Sequence, residues 1–92
     1  MDLKERMQRI IDMESSAIAG IKITDAFEEA LQLLLKSPGK VVTTGIGKAG
    51  YIAQKCAATM SSTGTPAFFV HPAEAGHGDL GMLSKDDCII AF

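Results

Sequence analysis

An apolar run that ends in closely spaced glycines constrains this chain more than any other feature. The run is VVTT at residues 41–44, and GIGKAG at residues 45–50 follows it directly. This pattern predicts a strand that turns straight into a helix. Glycine allows a tight turn and a close approach to a ligand, and the first free N–H groups of a helix attract an anion. The segment therefore predicts a phosphate-binding turn, to which Lys48 adds a positive charge.

Spacing separates this turn from two other phosphate-binding motifs. A nucleotide P-loop places a glycine five residues before its Gly-Lys pair and a Ser or Thr after it, whereas this chain has Val42 and Ala49 there. The dinucleotide pattern G-x-G-x-x-G is matched, but it also needs an acidic residue about 20 positions on, at the end of the next strand. The next predicted strand ends at His71, and Glu74 lies beyond the following proline. Both interpretations are therefore disfavoured.

Residues 61–82, SSTGTPAFFVHPAEAGHGDLGM, carry a resemblance to a known family. They are similar to the segment that follows the G-x-G-K-S-G turn in bacterial arabinose-5-phosphate isomerases, which belong to the sugar isomerase (SIS) domain family. The resemblance covers residues 39–92. It implies an α/β fold, a three-layer, flavodoxin-like parallel sheet with flanking helices. Ala49 departs from the usual serine of the family, which removes one hydroxyl from the expected phosphate or sugar contacts.

Helical and strand patterns follow one another along the chain. Strands that alternate with helices indicate a parallel sheet, with ligands held at the carboxyl ends of its strands. The glycine turn and residues 71–77 should therefore face one cleft. The predicted elements are two amphipathic helices within 1–38, the first capped by Asp2 with Glu5 and the second by Thr24 or Asp25; strands at 40–44, 67–71 and 88–92; a helix at 47–62; and a glycine-rich loop at 76–83.

The resemblance also predicts a domain organisation. Residues 1–92 are expected to form the N-terminal part of a single SIS domain, with 1–38 as a helical lead-in and 39–92 as a β-α-β-loop-β half. In the family, a serine-rich loop that wraps the sugar phosphate follows the third strand, and this chain ends at Phe92. The fold is therefore expected to be incomplete at its C-terminus. The resemblance places further acid/base groups of the family beyond that point, so residues 1–92 are not expected to show a complete catalytic set.

Roles for specific residues are implied by the resemblance. Lys48 is expected to be catalytic by stabilising developing negative charge, and His77 to take part by handling a proton or binding the sugar. His71 is expected to meet the substrate and to bind zinc, as an inhibitory ion and not as a required cofactor. An ordinary glycine turn, a plain helix end at residues 61–65 and a packed histidine are the simpler alternatives. The substrate-binding set is Gly45, Gly47, Gly64, Thr65, His71 and His77.

The reaction implied is the interconversion of D-arabinose 5-phosphate and D-ribulose 5-phosphate through an enediol. A sugar-phosphate sensor domain without catalysis is the alternative, because SIS domains also occur in transcriptional regulators. Those regulators carry a basic DNA-binding region upstream, and residues 1–38 show no such excess charge. A third interpretation is an oligomerisation fragment that binds no ligand.

Composition limits the partners of this chain. Nine basic and 11 acidic residues give a net charge of −2, which predicts no binding to nucleic acid or to an anionic membrane surface. The start of the chain lacks the apolar core of a signal peptide, and no apolar run reaches the length of a membrane span. We therefore predict a cytoplasmic protein with two reduced cysteines. The apolar faces of the two N-terminal helices predict a homo-oligomer, a dimer or a tetramer.

Overall fold

The computed structural model describes residues 2–92, which form a mixed fold of helices and one parallel sheet. The sheet has three strands in the order β2-β1-β3. This confirms the predicted α/β class. A flavodoxin-like sheet begins with the same strand order. The elements are α1 (Leu3–Ala19), α2 (Asp25–Lys36), β1 (Val41–Thr44), α3 (Lys48–Ser62), β2 (Ala67–Phe69), α4 (Pro72–Ala75), a 3-10 helix (Asp79–Met82) and β3 (Cys88–Ala91).

The core lies where α3 packs on the central strand β1. Thr43 is fully buried, and its hydroxyl donates a hydrogen bond of 2.6 Å to the Ala53 carbonyl oxygen in α3. The buried residues of α3 are Gly50, Ala53 and Ala57. Their spacing of three and four places these small residues on one helix face, so the helix can approach the sheet closely. Ile52 lies off this face and is 58% exposed.

The two N-terminal helices leave their apolar faces open. Asp2 and Glu5 form the predicted capping box of α1, with the Glu5 N–H 2.8 Å from the Asp2 carboxylate. Thr24 occupies the N-cap position of α2, but its hydroxyl makes no capping hydrogen bond. Every described residue of α1 is exposed, and in α2 only Leu34 is partly covered. The radius of gyration is accordingly 17.2 Å, against about 12 Å for a compact domain of this length.

None of the helices within residues 2–92 combines the length and the apolar character needed to cross a membrane.

The predicted boundaries hold within a residue at most elements, and the end of β2 is the exception. β2 ends at Phe69, whereas the sequence predicted a strand that continues to His71. The Val70 N–H still donates to the Thr43 carbonyl oxygen at 2.9 Å, so pairing with β1 stops only there. His71 is instead the N-cap of α4, because Pro72 suits the first position of a helix. The predicted loop at 76–83 contains the 3-10 helix.

A carboxylate joins the amino ends of β1 and β3. Asp87 accepts hydrogen bonds of 2.8 Å from the Lys40 N–H and 2.8 Å from the Ser84 N–H. Its side chain is 1% exposed and lies 3.9 Å from the Lys40 ammonium group. The hydrogen bonds from the Ser84 and Lys40 backbone favour the charged carboxylate, and they lower the pKa of Asp87 below its ordinary value. This edge of the sheet is therefore closed by internal bonds.

Candidate functional site

The glycine turn (residues 45–50) joins β1 to α3 at the carboxyl edge of the sheet, and close packing requires its glycines. A Cβ at Gly50 would lie 2.7 Å from the Gly45 carbonyl oxygen, and a Cβ at Gly45 would lie 3.0 Å from the Ala49 carbonyl group. Gly47, the N-cap of α3, has φ 63° and ψ −133°. Residues with a side chain rarely adopt that conformation. The predicted strand-to-helix turn is thus present, with glycine needed at each of these three positions.

Consecutive backbone amides of the turn have no acceptor. Among the residues that the structure describes, the N–H groups of residues 45–49 make no hydrogen bond. The first bonded amides are those of Gly50 and Tyr51, which donate to the Gly47 carbonyl oxygen at 3.0 Å and 3.4 Å. Free amides at the start of a helix form a binding place for an anion. The geometry therefore suits a phosphate group.

The Thr44 hydroxyl bonds to the acceptor that the Gly45 amide would meet if the strand pairing continued. In a parallel ladder, the next bond after Val70 N–H to Thr43 would join the Gly45 N–H to the Val70 carbonyl oxygen. The Thr44 hydroxyl takes that acceptor instead, at 2.5 Å. The Thr44 carbonyl oxygen also accepts from the Phe92 N–H at 2.8 Å. Thr44 thus ties the carboxyl ends of all three strands together just before the glycine turn.

His71 lies beside the glycine turn and has a fixed ring. Val70, the residue before it, is bonded to Thr44, the residue before the turn. The Nδ1 atom of His71 accepts a hydrogen bond of 3.1 Å from the Ala73 N–H. The ring also meets the Phe69 ring edge-on, with 6.4 Å between centroids and 85° between planes. Phe69 in turn reaches within 3.8 Å of the place a Cβ on Gly50 would occupy.

Lys48 and His77 are both exposed and free of polar contacts. Lys48 is the first residue of α3, and His77 follows α4 after Gly76. Within residues 2–92, neither side chain makes a hydrogen bond or an ion pair. The backbone N–H of His77 donates to the Glu74 carbonyl oxygen at 2.9 Å, which holds the chain but not the imidazole. A lysine at a helix N-terminus is electrostatically unfavourable unless an anion binds nearby.

Gly64 and Thr65 lie away from this site. They follow α3 and precede β2, so in a parallel sheet they stand at the amino edge, opposite the glycine turn. The bond from the Val41 N–H to the Pro66 carbonyl oxygen, 3.0 Å, fixes this placement. The 15 residues of α3 span about 22 Å, which separates the two edges. The structure therefore brings Gly45, Gly47, Lys48 and His71 to one edge and places Gly64 and Thr65 at the other, and the substrate-binding role of Gly64 and Thr65 stays a prediction.

The described residues around His71 include no cluster of metal-ligating side chains. Across the described part of the chain, no group of three or more His, Cys, Asp or Glu side chains could hold a metal ion. One nitrogen of the His71 ring is already bonded to the Ala73 N–H. The zinc ion that the resemblance implied at His71 stays a prediction, and no chemical step depends on it here.

Sequence reasoning missed two parts of the site. The role of the Thr44 hydroxyl depends on a partner 26 residues away, and no local pattern indicates it. The capping role of His71 had a local signal, because a proline directly after a polar side chain marks the start of a helix. Residues 72–75 were assigned to no element, because the strand was expected to run to His71 and the glycine-rich loop to begin at Gly76, so α4 was overlooked.

These features define an α/β protein with a glycine turn of unpaired amides at the carboxyl edge of a parallel sheet. Residues 33–92 match the model of the SIS domain. The chain belongs to the SIS domain family, as its sequence led us to expect.

Two relatives show how similar the chain is to known enzymes. It is 50% identical to the arabinose 5-phosphate isomerase KdsD of Pseudomonas aeruginosa, over all of this chain and 29% of the relative. It is 47% identical to the arabinose 5-phosphate isomerase GutQ of Escherichia coli K12, over 92% of this chain and 26% of the relative. The chain thus spans between a quarter and a third of these relatives.

Solved structures support the same assignment. A candidate phosphosugar isomerase involved in capsule formation from Bacteroides fragilis superposes with a TM-score of 0.92 at 42% identity, covering 98% of this chain and 49% of that one. An Escherichia coli CFT073 protein in complex with arabinose 5-phosphate gives 0.83 at 43% identity, covering 99% of this chain and 51% of that one. The fold of residues 2–92 is therefore that of half of these chains.

Proposed function

We propose that this chain supplies the phosphate-binding part of an aldose-ketose isomerase that interconverts D-arabinose 5-phosphate and D-ribulose 5-phosphate. The observation that carries the proposal is the row of unpaired amides at residues 45–49, beside the exposed cation of Lys48. The names of the relatives and the arabinose 5-phosphate bound to a structural neighbour support the choice of sugar. Because the chain spans less than a third of the relatives, the activity of a whole enzyme is part of the proposal.

The reaction needs three things from the protein. A base removes the proton from the carbon next to the carbonyl, a cis-enediol forms, and the proton is delivered to the former carbonyl carbon. The protein must hold the phosphate, stabilise the negative charge on the enediolate oxygen and move the proton. No atom enters or leaves the sugar, so neither a redox cofactor nor a second substrate is required.

The residues at the carboxyl edge divide this work. Gly45 and Gly47 let the amides of the turn approach the phosphate, and Lys48 stabilises the developing charge. His77 handles a proton or binds the sugar, because an exposed imidazole in a glycine-rich segment can reach a ligand. His71 contacts the substrate from its fixed position beside the turn. Replacing His77 by Ala should accordingly reduce turnover more than replacing His71 by Ala.

Binding and turnover are measured separately to test this proposal. We expect arabinose 5-phosphate to shift the backbone amide NMR signals of residues 45–49 in the labelled chain, with smaller shifts at residues 64 and 65. Ribulose 5-phosphate formation by a complete SIS domain that contains this chain, followed by a chromatographic assay, then tests catalysis. Amide signals at the turn that stay unchanged at millimolar sugar phosphate would contradict the proposal.

A sugar-phosphate sensor is the second candidate. The same unpaired amides would bind a ligand in a domain that has no catalytic activity. Titration and turnover distinguish the two, since a sensor binds arabinose 5-phosphate with amide shifts at the turn and forms no ribulose 5-phosphate.

We also propose that α1 packs against another copy of the chain. Every residue of α1 described by the structure is exposed, and large apolar side chains such as Ile10, Ile11 and Ile18 are at least 58% exposed. Such a stripe is unfavourable in water unless it is covered.

Light scattering at micromolar concentration should give at least a dimer, and Ile11→Glu should shift the chain towards monomer. The control Arg9→Glu alters the charge of α1 without removing an apolar side chain. A monomeric parent chain with native circular dichroism would contradict this assembly.

A further inference from the structure

The imidazole of His71 has its two nitrogens in different situations. Nδ1 accepts a hydrogen bond from the Ala73 N–H at 3.1 Å. An atom that accepts a hydrogen bond from a backbone amide carries no proton of its own, because two N–H groups cannot point at each other. In a neutral imidazole one nitrogen carries the proton and the other does not. The proton of neutral His71 therefore lies on Nε2.

The surroundings hold the ring in this state. His71 has backbone angles of −71° and 130°, typical of an N-cap residue, and Pro72 follows at the first helical position. The His71 carbonyl oxygen accepts from the Ala75 N–H at 2.9 Å, so the short helix α4 starts from this residue. The Phe69 ring stands against the imidazole at 85°. Turning the ring over would place a carbon atom against the Ala73 N–H and lose that bond.

We propose that His71 serves the site as a fixed hydrogen-bond donor through Nε2–H, and not as a proton acceptor or a zinc ligand. This rests on the sugar-phosphate function proposed above. A donor beside the glycine turn suits a hydroxyl or carbonyl oxygen of the sugar. It also separates the two histidines of the chain, since the side chain of His77 makes no hydrogen bond within residues 2–92 and both of its nitrogens remain open to proton exchange.

This assignment conflicts with zinc at His71. A zinc ion binds an imidazole nitrogen that carries no proton. Binding at Nε2 would move the proton to Nδ1, where it would face the Ala73 N–H, and the cap of α4 would be lost. Binding at Nδ1 would displace the Ala73 N–H directly. Either mode costs a hydrogen bond, and the described residues provide no cluster of further ligands to offset that cost.

The first experiment reads the tautomer without any ligand. Long-range 1H–15N NMR correlation at pH 8.5, where an ordinary imidazole is neutral, distinguishes a protonated ring nitrogen from an unprotonated one. We expect His71 to show protonated Nε2 and unprotonated Nδ1, with His77 as the internal reference. A proton on Nδ1 of His71 would overturn the proposal, whether or not the chain binds arabinose 5-phosphate.

Two substitutions separate the cap from the donor. Asn is a strong N-cap residue, so His71→Asn keeps an acceptor for the Ala73 N–H and loses the Nε2–H donor; its NH₂ group lies one bond nearer the backbone and does not reach the Nε2 position. His71→Ala loses both. We expect the Ala73 amide to exchange hydrogen at least tenfold faster in His71→Ala and at the parent rate in His71→Asn. Both variants should bind arabinose 5-phosphate at least fivefold more weakly and inorganic phosphate unchanged. Parental sugar-phosphate affinity in His71→Asn would overturn the donor role.

Zinc titration completes the test. One equivalent of zinc chloride should leave the ring nitrogens of His71 and the Ala73 amide unshifted. A metal-induced shift of His71 Nε2, accompanied by loss of the Ala73 hydrogen bond, would overturn the proposal and support inhibitory zinc at this residue. If the parent chain binds no arabinose 5-phosphate at all, the proposed function fails, while the tautomer and zinc results still decide the state of His71.

Discussion

The two edges of the parallel sheet differ in whether their backbone N–H groups have hydrogen-bond acceptors in the protein. At the amino edge, the N–H groups of Lys40 and Ser84 are both bonded to the Asp87 carboxylate, and the Ser37 hydroxyl donates to the Asp86 carbonyl oxygen at 2.8 Å. At the carboxyl edge, the amides of residues 45–49 are without partners within the described chain. The amides of one edge are bonded within the protein, and those of the other are left for water or a ligand.

This difference separates stability from binding within a small sheet. An amide without a partner costs free energy wherever water is excluded. The carboxyl edge therefore adds little to the stability of the free protein and is available for a ligand. The amino edge holds β1 and β3 in register without any ligand. Substitutions at the two edges should accordingly change different measured quantities.

The largest expected effect is on turnover by the complete SIS domain, from Lys48→Met at the carboxyl edge. Loss of a charge that stabilises a transition state costs about 3 kcal/mol, or roughly a hundredfold in turnover of arabinose 5-phosphate. Thermal stability should not fall, because Lys48 is exposed and makes no polar contact in the described structure. Lys55→Met is the matched control, an exposed lysine of the same helix. Turnover within threefold of the parent would remove Lys48 from the catalytic set.

A pair of glycine substitutions tests the comparison directly. A Cβ at Gly39 would overlap the Asp86 carbonyl oxygen, whereas a Cβ at Gly47 would have no atom within 4 Å. Gly39→Ala should therefore destabilise the fold by about 3 kcal/mol through overpacking and leave the affinity of folded protein for phosphate unchanged. Gly47→Ala strains a φ of 63°, with a cost of about 1–3 kcal/mol, and should weaken phosphate binding. Urea unfolding measures the change in stability, and phosphate titration measures the change in affinity. Equal losses of phosphate affinity in the two variants would contradict the separation of stability and binding between the two edges.

The sequence predicts well what depends on neighbours along the chain. The capping box of Asp2 and Glu5, the glycine turn and the parallel alternation all follow from local spacing, and the structure contains each of them. The predicted division of the chain into a lead-in and a β-α-β-loop-β half stays a prediction. So do the individual roles of Lys48 and His77, whose side chains make no contact that would test them.

What the sequence does not predict depends on partners far along the chain. The hydrogen bond from the Lys40 N–H to the Asp87 carboxylate joins residues 47 positions apart, and the hydropathy pattern does not indicate it. The apolar stripes of α1 and α2 have helical spacing, but spacing does not show whether a face meets the sheet, another subunit or water. The placement of Gly64 and Thr65, by contrast, can be predicted from the sequence. They directly precede β2, so a parallel sheet places them at its amino edge.

A smaller effect is expected from Asp87→Asn, and it should depend on pH. Backbone hydrogen bonds lower the pKa of Asp87 in the folded state. The carboxylate therefore contributes stability above its ordinary pKa of about 3.9, and this contribution is lost as the pH falls below that value through the folded pKa. The substituted side chain would also turn its NH₂ donor towards one backbone N–H, so the melting temperature should fall at pH 7.

Urea unfolding between pH 7 and pH 2.5 measures this dependence. The parent should lose stability below about pH 4, and Asp87→Asn should show a flatter profile there. Asp86→Asn is the control, because Asp86 is exposed and only its backbone carbonyl accepts a hydrogen bond, from the Ser37 hydroxyl. Identical acid profiles for the two variants would show that the amino edge does not depend on the Asp87 carboxylate.

The smallest effect is expected at Thr44, for which the neighbouring Thr43 provides a matched comparison. Thr44→Val removes the hydroxyl that occupies the Val70 carbonyl oxygen, so the Gly45 amide becomes the next available donor and the turn is drawn towards β2. Loss of one such bond costs about 1 kcal/mol, and we expect a drop in arabinose 5-phosphate affinity of about fivefold. Thr43→Val removes a hydroxyl bond of 2.6 Å to α3 and should lower stability by a similar amount with affinity unchanged. Thr44→Ser should restore affinity, and equal affinities for the Thr43 and Thr44 valine variants would show that the free Gly45 amide does not contribute to binding.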